Sequence, residues 1–306
     1  MALNYTEISA LTQKFYIPKL IDNIFDSNAL LQRAKSKWYD KIDGGSQIVV
    51  PVAYAATSAS GWYSGAETLN TSANDQLTAL QFDWKNIYAN ITVNRTDELQ
   101  NSGKNGILNF VRSKVQMAEK TLSDNLGTAI FNDGTTDAKA LVGLQLAIDS
   151  AGTYGGLSRT TYSWLAAQED SSTTSLTIPT MQSLMGDCTI GGDKPTVIVG
   201  SQARVDDYYG LLQPQQRFTD NQTAKGGFTA LLFNMCPVIE DSHATSTDLY
   251  FINEDYISLK VHKDEDFRFE PFIKPTNQNV SSAKVYWTGA LAIDNCRMHG
   301  KFSALT

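Results

Sequence analysis

Apolar residues alternate with others at Ile48, Val50, Val52 and Tyr54, the two-residue period of a β-strand. Pro51 lies inside that run and has no N–H to give to a ladder, so the run predicts an edge strand or a two-stranded ribbon. A second alternating run holds Leu80, Phe82 and Trp84, after which the apolar phase slips and continues through Ile87, Ala89, Ile91 and Val93. A one-residue slip exchanges the two faces of a strand, which predicts a bulge or sharp twist near Lys85-Asn86. Between the runs, residues 55–75 are rich in Ala, Ser, Thr, Gly and Asn and carry Trp62 and Tyr63 beside Gly61 and Gly65. The pattern predicts a projecting hairpin with an irregular aromatic tip.

Elsewhere the period changes. Ile107, Val111, Val115, Ala118, Leu122, Leu126 and Ala129 step by threes and fours, an unbroken stripe on one face of a long helix over 107–131. Gly127 costs such a helix about 1 kcal/mol, too little to break it, and Asn132-Asp133-Gly134 supplies turn chemistry at its end. Upstream, residues 1–37 read as an arm with a weak amphipathic helix over 22–37. Downstream, a helix over 178–188 has Pro179 in its first turn, Thr196-Val197-Ile198-Val199 is a short buried strand, and a helix follows Gly200-Ser201. Strands are predicted at 249–252, 257–261, 267–272 and 285–293. Helices and strands mix without regular βα alternation, so the class is α+β.

Composition narrows the function classes. Twenty-five Lys and Arg against 32 Asp and Glu leave a net charge of −7, which excludes a basic nucleic-acid-binding domain. A hydrophobic content of 42% with only 19% charged residues excludes a disordered chain. No apolar run is long enough to span a membrane, and the N-terminus lacks the pattern of a secretory signal. Cys188, Cys236 and Cys296 are odd in number and far apart, which argues against a disulfide framework or a zinc site and for a reducing compartment.

Candidate chemistry is sparse. Gly186 to Gly192 approaches a phosphate loop, but Gly192-Asp193 stands where Lys-Ser/Thr is needed, so a plain turn is the better reading. Val199-Gly200-Ser201 has the strand–Gly–helix order of a nucleotide turn with one glycine of the fingerprint; a helix capped by Ser201 is the plainer alternative. Glu240-Asp241-Ser242-His243 and Asp264-Glu265-Asp266 match neither a zinc helix nor a calcium loop and read as solvated loops. No nucleophile elbow is present, and no cofactor, metal or catalytic residue is expected. The strongest feature is the ribbon itself. A hairpin bearing Trp62, Tyr63, Phe82 and Trp84, with Ile48, Val50 and Val52 on one face, needs a docking surface. A neighbouring chain is favoured over the chain's own body.

The order of elements resembles the major capsid proteins of tailed bacteriophages, the Hong Kong 97-type fold shared with encapsulin nanocompartments. Ile130-Phe131-Asn132-Asp133-Gly134, Tyr154-Gly155-Gly156-Leu157-Ser158-Arg159 and Pro195-Thr196-Val197-Ile198-Val199-Gly200-Ser201 resemble strings of phage coat proteins at the same points in the order. A closing strand, Tyr286-Trp287-Thr288-Gly289-Ala290-Leu291-Ala292-Ile293, completes the likeness, which spans nearly the whole chain. The resemblance implies an N-terminal arm at 1–37, a projecting two-stranded E-loop at 38–93, a peripheral domain with its spine helix at 94–175, an axial domain at 176–263 and a return to the peripheral domain at 264–306.

It further implies a homo-oligomeric, icosahedral shell of hexamers and pentamers around double-stranded DNA, found in the virion and assembled in the host cytoplasm. Intersubunit contacts would come from Trp62, Tyr63, Phe82, Trp84, Ile48, Val50 and Val52, and hinges from Gly103 and Gly106. A separate scaffolding protein is expected because the arm starts almost at Met1, with a portal and decoration proteins as further partners. An encapsulin-like compartment around an enzyme cargo is the alternative, and a soluble enzyme with a mobile lid is the third reading. Some members of the family join a loop Lys to a neighbour's Asn. Residues 42–84 contain no Lys. Purified particles boiled in detergent should therefore run as intact single subunits; a ladder of covalent multimers would refute this.

Overall fold

The computed structural model describes residues 28–100, 104–135, 137–212, 231–276 and 278–306. The chain enters through helix α1 (Ala29–Lys37), whose first turn is capped by Asn28: its side-chain oxygen accepts from the backbone N–H groups of Leu30 and Leu31. Leu30, Leu31 and Ala34 form the buried face. Strand β1 (Tyr39–Ile42) leads to the ribbon strands β2 (Ile48–Ala53) and β3 (Leu77–Phe82), and then β4 (Lys85–Asn94). Helix α2 (Arg95–Gln100) precedes the long helix α3 (Lys104–Ile130), about 40 Å at the α-helical rise. Val111, Val115, Ala118, Leu122 and Leu126 are buried along it, as the stripe predicts.

After α4 (Leu144–Ala147) come the small hairpin β5 (Thr153–Tyr154) and β6 (Leu157–Ser158), then β7 (Gln168–Asp170). Helix α5 (Ile178–Asp187) opens on a capping box between Thr177 and Thr180, with Pro179 in the first turn. Strand β8 (Val197–Gly200), helix α6 (Gln202–Leu212) and strands β9 (Leu231–Phe233), β10 (Cys236–Glu240), β11 (Leu249–Ile252), β12 (Ile257–His262), β13 (Arg268–Ile273), β14 (Val280–Ile293) and β15 (Gly300–Phe302) complete the order. No helix among the described residues is long and apolar enough to cross a membrane.

Two larger sheets organise these elements. In one, the long β14 pairs with β4 along 280–289, with β13 along 282–286 and with β12 along 289–293, and β1 adds in parallel to β12. In the other the order is β7-β15-β11-β8-β10-β9. Its central strands read Val-Ile-Val-Gly and Leu-Tyr-Phe-Ile, apolar at every position, and all eight residues are buried. Runs of this kind belong to strands covered on both faces. Val197, Val199, Tyr250 and Ile252 turn into the large core beneath α3, whereas Ile198, Leu249 and Phe251 turn into a second core with Met181, Leu184, Met185 and Tyr208. One sheet is thus the wall between two cores.

Three expectations change. The phase slip at 85–86 is not a bulge within one strand: the chain leaves the two-stranded ribbon at Asp83-Trp84, and β4 joins the five-stranded sheet, where Ala89, Ile91 and Val93 are buried. The closing strand starts at Val280 rather than Val285, because Ser281 and Ala283 are buried in alternation but too small and polar to read as an apolar run. The long helix starts at Lys104, so Gly106 lies within it rather than before it; Gly103 lies outside the described residues, as does most of the predicted arm.

His299 sits where β14 hands the chain to β15. It is fully buried, its Nδ1 accepts from the backbone N–H of Asn253 at 3.3 Å, and its Nε2 has no hydrogen-bond partner. Burial pushes its pKa down to about 3. A free imidazole takes up a proton near pH 6.5, so between that pH and about 3 the unfolded chain holds a proton that the folded one refuses. Folding stability should fall as pH drops through this window, with this residue contributing at most about 1.4 kcal/mol per pH unit. Denaturation series from pH 7 to 4 should show a shallower loss for His299→Asn than for the parent; equal slopes would refute the assignment.

Candidate assembly surface

The ribbon is held at its root by its own chain. In register, Ile48 pairs with Phe82, Val50 with Leu80 and Val52 with Thr78. Ile48, Val50, Leu80 and Phe82 are buried on the inward face. The receiving surface is the stretch from β5 to Trp164. Phe82 meets Tyr154 edge-to-face at 5.2 Å, and Gln81 N–H donates to Gly155 O at 3.0 Å. Tyr54 stacks on Trp164 at 5.9 Å and meets Tyr162 at 6.4 Å.

That receiving surface is itself pinned by Arg159, a buried guanidinium that donates to the carbonyls of Leu146, Ala147 and Ala151 and lies over the Tyr154 ring at 5.2 Å. Pro51 fits in β2 because the ribbon has only two strands: its nitrogen can face the open edge, where no ladder bond is lost.

The seven residues predicted to meet a neighbour therefore separate. Ile48, Val50 and Phe82 are buried in the chain's own core, and Val52 and Trp84 pack partly against it. Trp84 also donates from Nε1 to Gly45 O at 2.9 Å and meets His262 edge-on. For these five the docking surface lies within the chain, because a two-stranded ribbon can shed its apolar face onto whichever layer is nearest. Trp62 and Tyr63 remain, at 104% and 69% exposure, with Leu77 at 73% on the outward face. Residues 54–76 form no strand, and the segment is tied across by short polar bonds: Asn74 accepts from Ser58 N–H and donates to Ala56 O, and Tyr54 N–H donates to Gln76 O. The whole segment 44–82 carries two acids, Glu67 and Asp75, and no base.

The residues considered for chemistry have structural roles. Burial raises the thiol of Cys188 to about 12 and that of Cys296 to about 11, and raises Cys236 as well, so none is a ready nucleophile. Gly200 packs against Leu249, where a Cβ would lie 2.8 Å from Cδ1, so the turn after β8 is closed rather than open to a phosphate. Ser201 does not cap the following helix, since its buried hydroxyl has no hydrogen-bond partner. Asp266 takes Lys41 at 2.6 Å and the Tyr39 hydroxyl, and Glu265 takes Arg268 at 2.8 Å. Among the described residues, no group of three or more His, Cys, Asp or Glu is arranged to hold a metal ion.

No family model and no curated protein matches the sequence. Solved structures do. The capsid of cyanophage A-1(L) matches with a TM-score of 0.64 at 16% identity, over 89% of this chain and 92% of that one. The holo-SrpI encapsulin of Synechococcus elongatus PCC 7942 matches at 0.60 and 8% identity, over 90% and 87%. The procapsid of satellite phage P4 matches at 0.56 and 11% identity, over 99% and 96%.

The hold on the ribbon turns on Gly155. Its φ is +55°, and a Cβ there would lie 2.8 Å from Leu80 Cβ; Gly156, at φ +80°, faces open space. Gly156→Ala should cost about 1 kcal/mol of backbone strain, whereas Gly155→Ala should cost about 2–3 kcal/mol, through the same strain plus the overlap with Leu80. Denaturation midpoints of dissociated subunits would test this; equal losses would show that the β5–β6 turn does not seat the ribbon.

Proposed function

Given a Hong Kong 97-type capsid fold over about nine-tenths of the chain, we propose that this protein is the structural, non-enzymatic subunit of an icosahedral bacteriophage head, built from hexamers and pentamers around double-stranded DNA. The observation that carries this reading is the ribbon: rooted in its own chain, it sends out a tip whose Trp62 has no cover. A fully exposed tryptophan on a neutral-to-acidic arm gains by burial against another molecule, and a contact between unlike surfaces is what closes rings and larger lattices. The low charged fraction agrees with a molecule much of whose surface ends inside contacts, and the acidic balance agrees with a lumen that holds DNA loosely.

In this reading residues 38–93 are the E-loop, 94–175 and 264–306 the peripheral domain, and 176–263 the axial domain. The second core supports the last assignment, since its buried residues run from Leu176 to Phe251 with Phe302 and Leu305 added from the return. A separate scaffolding protein, a portal and decoration proteins would complete the particle. A second reading, a compartment that encloses a protein cargo, is favoured by the nearly equal likeness to the encapsulin. Extraction of purified particles separates the two: DNA of uniform length supports the head, and a stoichiometric protein cargo supports the compartment.

The tip provides the direct test. Trp62→Ala with Tyr63→Ala should leave the circular dichroism and unfolding midpoint of the subunit unchanged, because both side chains are exposed, while closed particles should vanish from negative-stain micrographs. Normal particles from the double variant would overturn the tip's role.

A further inference from the structure

A groove runs between β4 and α3, and its deepest part is a cavity of about 450 Å3. Ile87 of β4, Leu126 and Ala129 of α3, Leu141 and Trp287 give the cavity an apolar lining. The wall at 137–141 is fixed by its own bonds. Lys85 Nζ donates to Ala138 O at 2.6 Å, the Lys139 N–H to Asp137 Oδ1 at 2.9 Å and the Ala140 N–H to Asp137 O at 2.9 Å. The cavity is thus formed before anything enters it. Past Tyr88 the groove continues to Met117 and Lys114, and the side chains of Tyr88 and Met117 are both exposed.

Charge and reach narrow what can lie there. Among the described residues, the charged groups that line the cavity are Lys85, Lys139 and Asp137, and Asp137 already accepts from the backbone of its own loop. Lys114 adds a third base further along. The ribbon tip has the opposite balance: residues 55–76 hold Glu67 and Asp75 and no base, around Trp62 and Tyr63. A chain cannot fill its own groove with its own tip. Lys85 follows Phe82, the last residue of β3, by three positions, so the groove opens beside the root of the ribbon. The six-residue strands carry the tip about 20 Å away from that root. Tip and groove are therefore unlike surfaces at separate places on one molecule, and each copy that uses one keeps the other free for the next.

We propose that the groove between β4 and α3 is the berth for the ribbon tip of a second copy, with the indole of Trp62 in the cavity and Glu67 and Asp75 toward Lys85 and Lys139. Burial of an uncovered aromatic in a preformed apolar cavity supplies the attraction, and the charge match sets the approach. This inference rests on the shell reading and deepens it, because it names the surface that receives the tip.

Three variants of the full chain test the berth. Ala129→Trp fills the cavity from α3, and Lys139→Glu reverses a charge on its rim. Both subunits should keep the circular dichroism and unfolding midpoint of the parent, and both should fail to form closed particles in negative-stain micrographs. Adding Glu67→Lys and Asp75→Lys to Lys139→Glu should restore the particles. Tyr63→Cys combined with Asn125→Cys, which leaves both the cavity lining and Trp62 apolar, should give disulfide-linked multimers on non-reducing gels that neither single variant gives. Normal particles from a folded Ala129→Trp or Lys139→Glu, a defect in Lys139→Glu that the reversed tip does not relieve, or the absence of the disulfide in assembled particles would each overturn the berth. If the berth fails while Trp62→Ala with Tyr63→Ala still abolishes particles, the tip keeps its role and seats elsewhere; if that double variant also assembles normally, the shell reading of the tip fails with it.

Discussion

A ribbon of two strands has no second layer of its own, so it stands in water only where something else covers its apolar face. Here that cover extends along the root and stops before the tip. The turn at Gly155, the rings of Tyr154, Tyr162 and Trp164, and the buried Arg159 beneath them form a socket for Phe82, Leu80 and Tyr54. With one end seated, the other can be held away from the body at little cost, and Trp62 is delivered into solvent at a defined place. In the proposed shell, engagement of another copy would depend on this asymmetry between a covered base and an uncovered end.

The body that carries the socket is held together across long sequence distances. Glu254, whose side chain is fully buried, receives Arg33 through two nitrogens at 2.7 and 2.9 Å, Lys37 at 2.8 Å and the Thr196 hydroxyl at 3.0 Å. Burial alone would raise this carboxyl, but the two cations outweigh it and hold its pKa below the ordinary value. The clamp ties α1 to the ends of β8 and β11, the central strands of the sheet that separates the two cores. A few residues away, Gly127 lets Asn28 and His243 lie against α3. The propensity cost of a glycine inside a helix, about 1 kcal/mol, is thus offset by a contact that no other residue would admit.

Much of the fold is legible along the chain. The stripe on α3, the ribbon with its internal proline, the capped helix after Thr177 and the all-apolar strands β8 and β11 follow from spacing that local geometry enforces. Strands β1, β10 and β15 were not legible, because Tyr39–Ile42, Cys236–Glu240 and Gly300–Phe302 are short and mixed in polarity and become strands only by adding to an existing edge. Similarly, Glu240-Asp241-Ser242-His243 reads as a solvated loop, yet Asp241 is buried and accepts from Leu30, more than two hundred residues away.

The assembly surface divides along the same line. Alternation at 48–54 and 80–84 determined that an apolar ribbon exists and that its tip is aromatic, since a two-residue period needs no knowledge of neighbours. Which residues of that ribbon are spent inside the chain was decided only by tertiary structure. Hydrophobic burial has no direction and no address. Ile48, Val50 and Phe82 are as apolar as Trp62, and only the position of the socket separates the side chains that fold the subunit from those left free to join it to another.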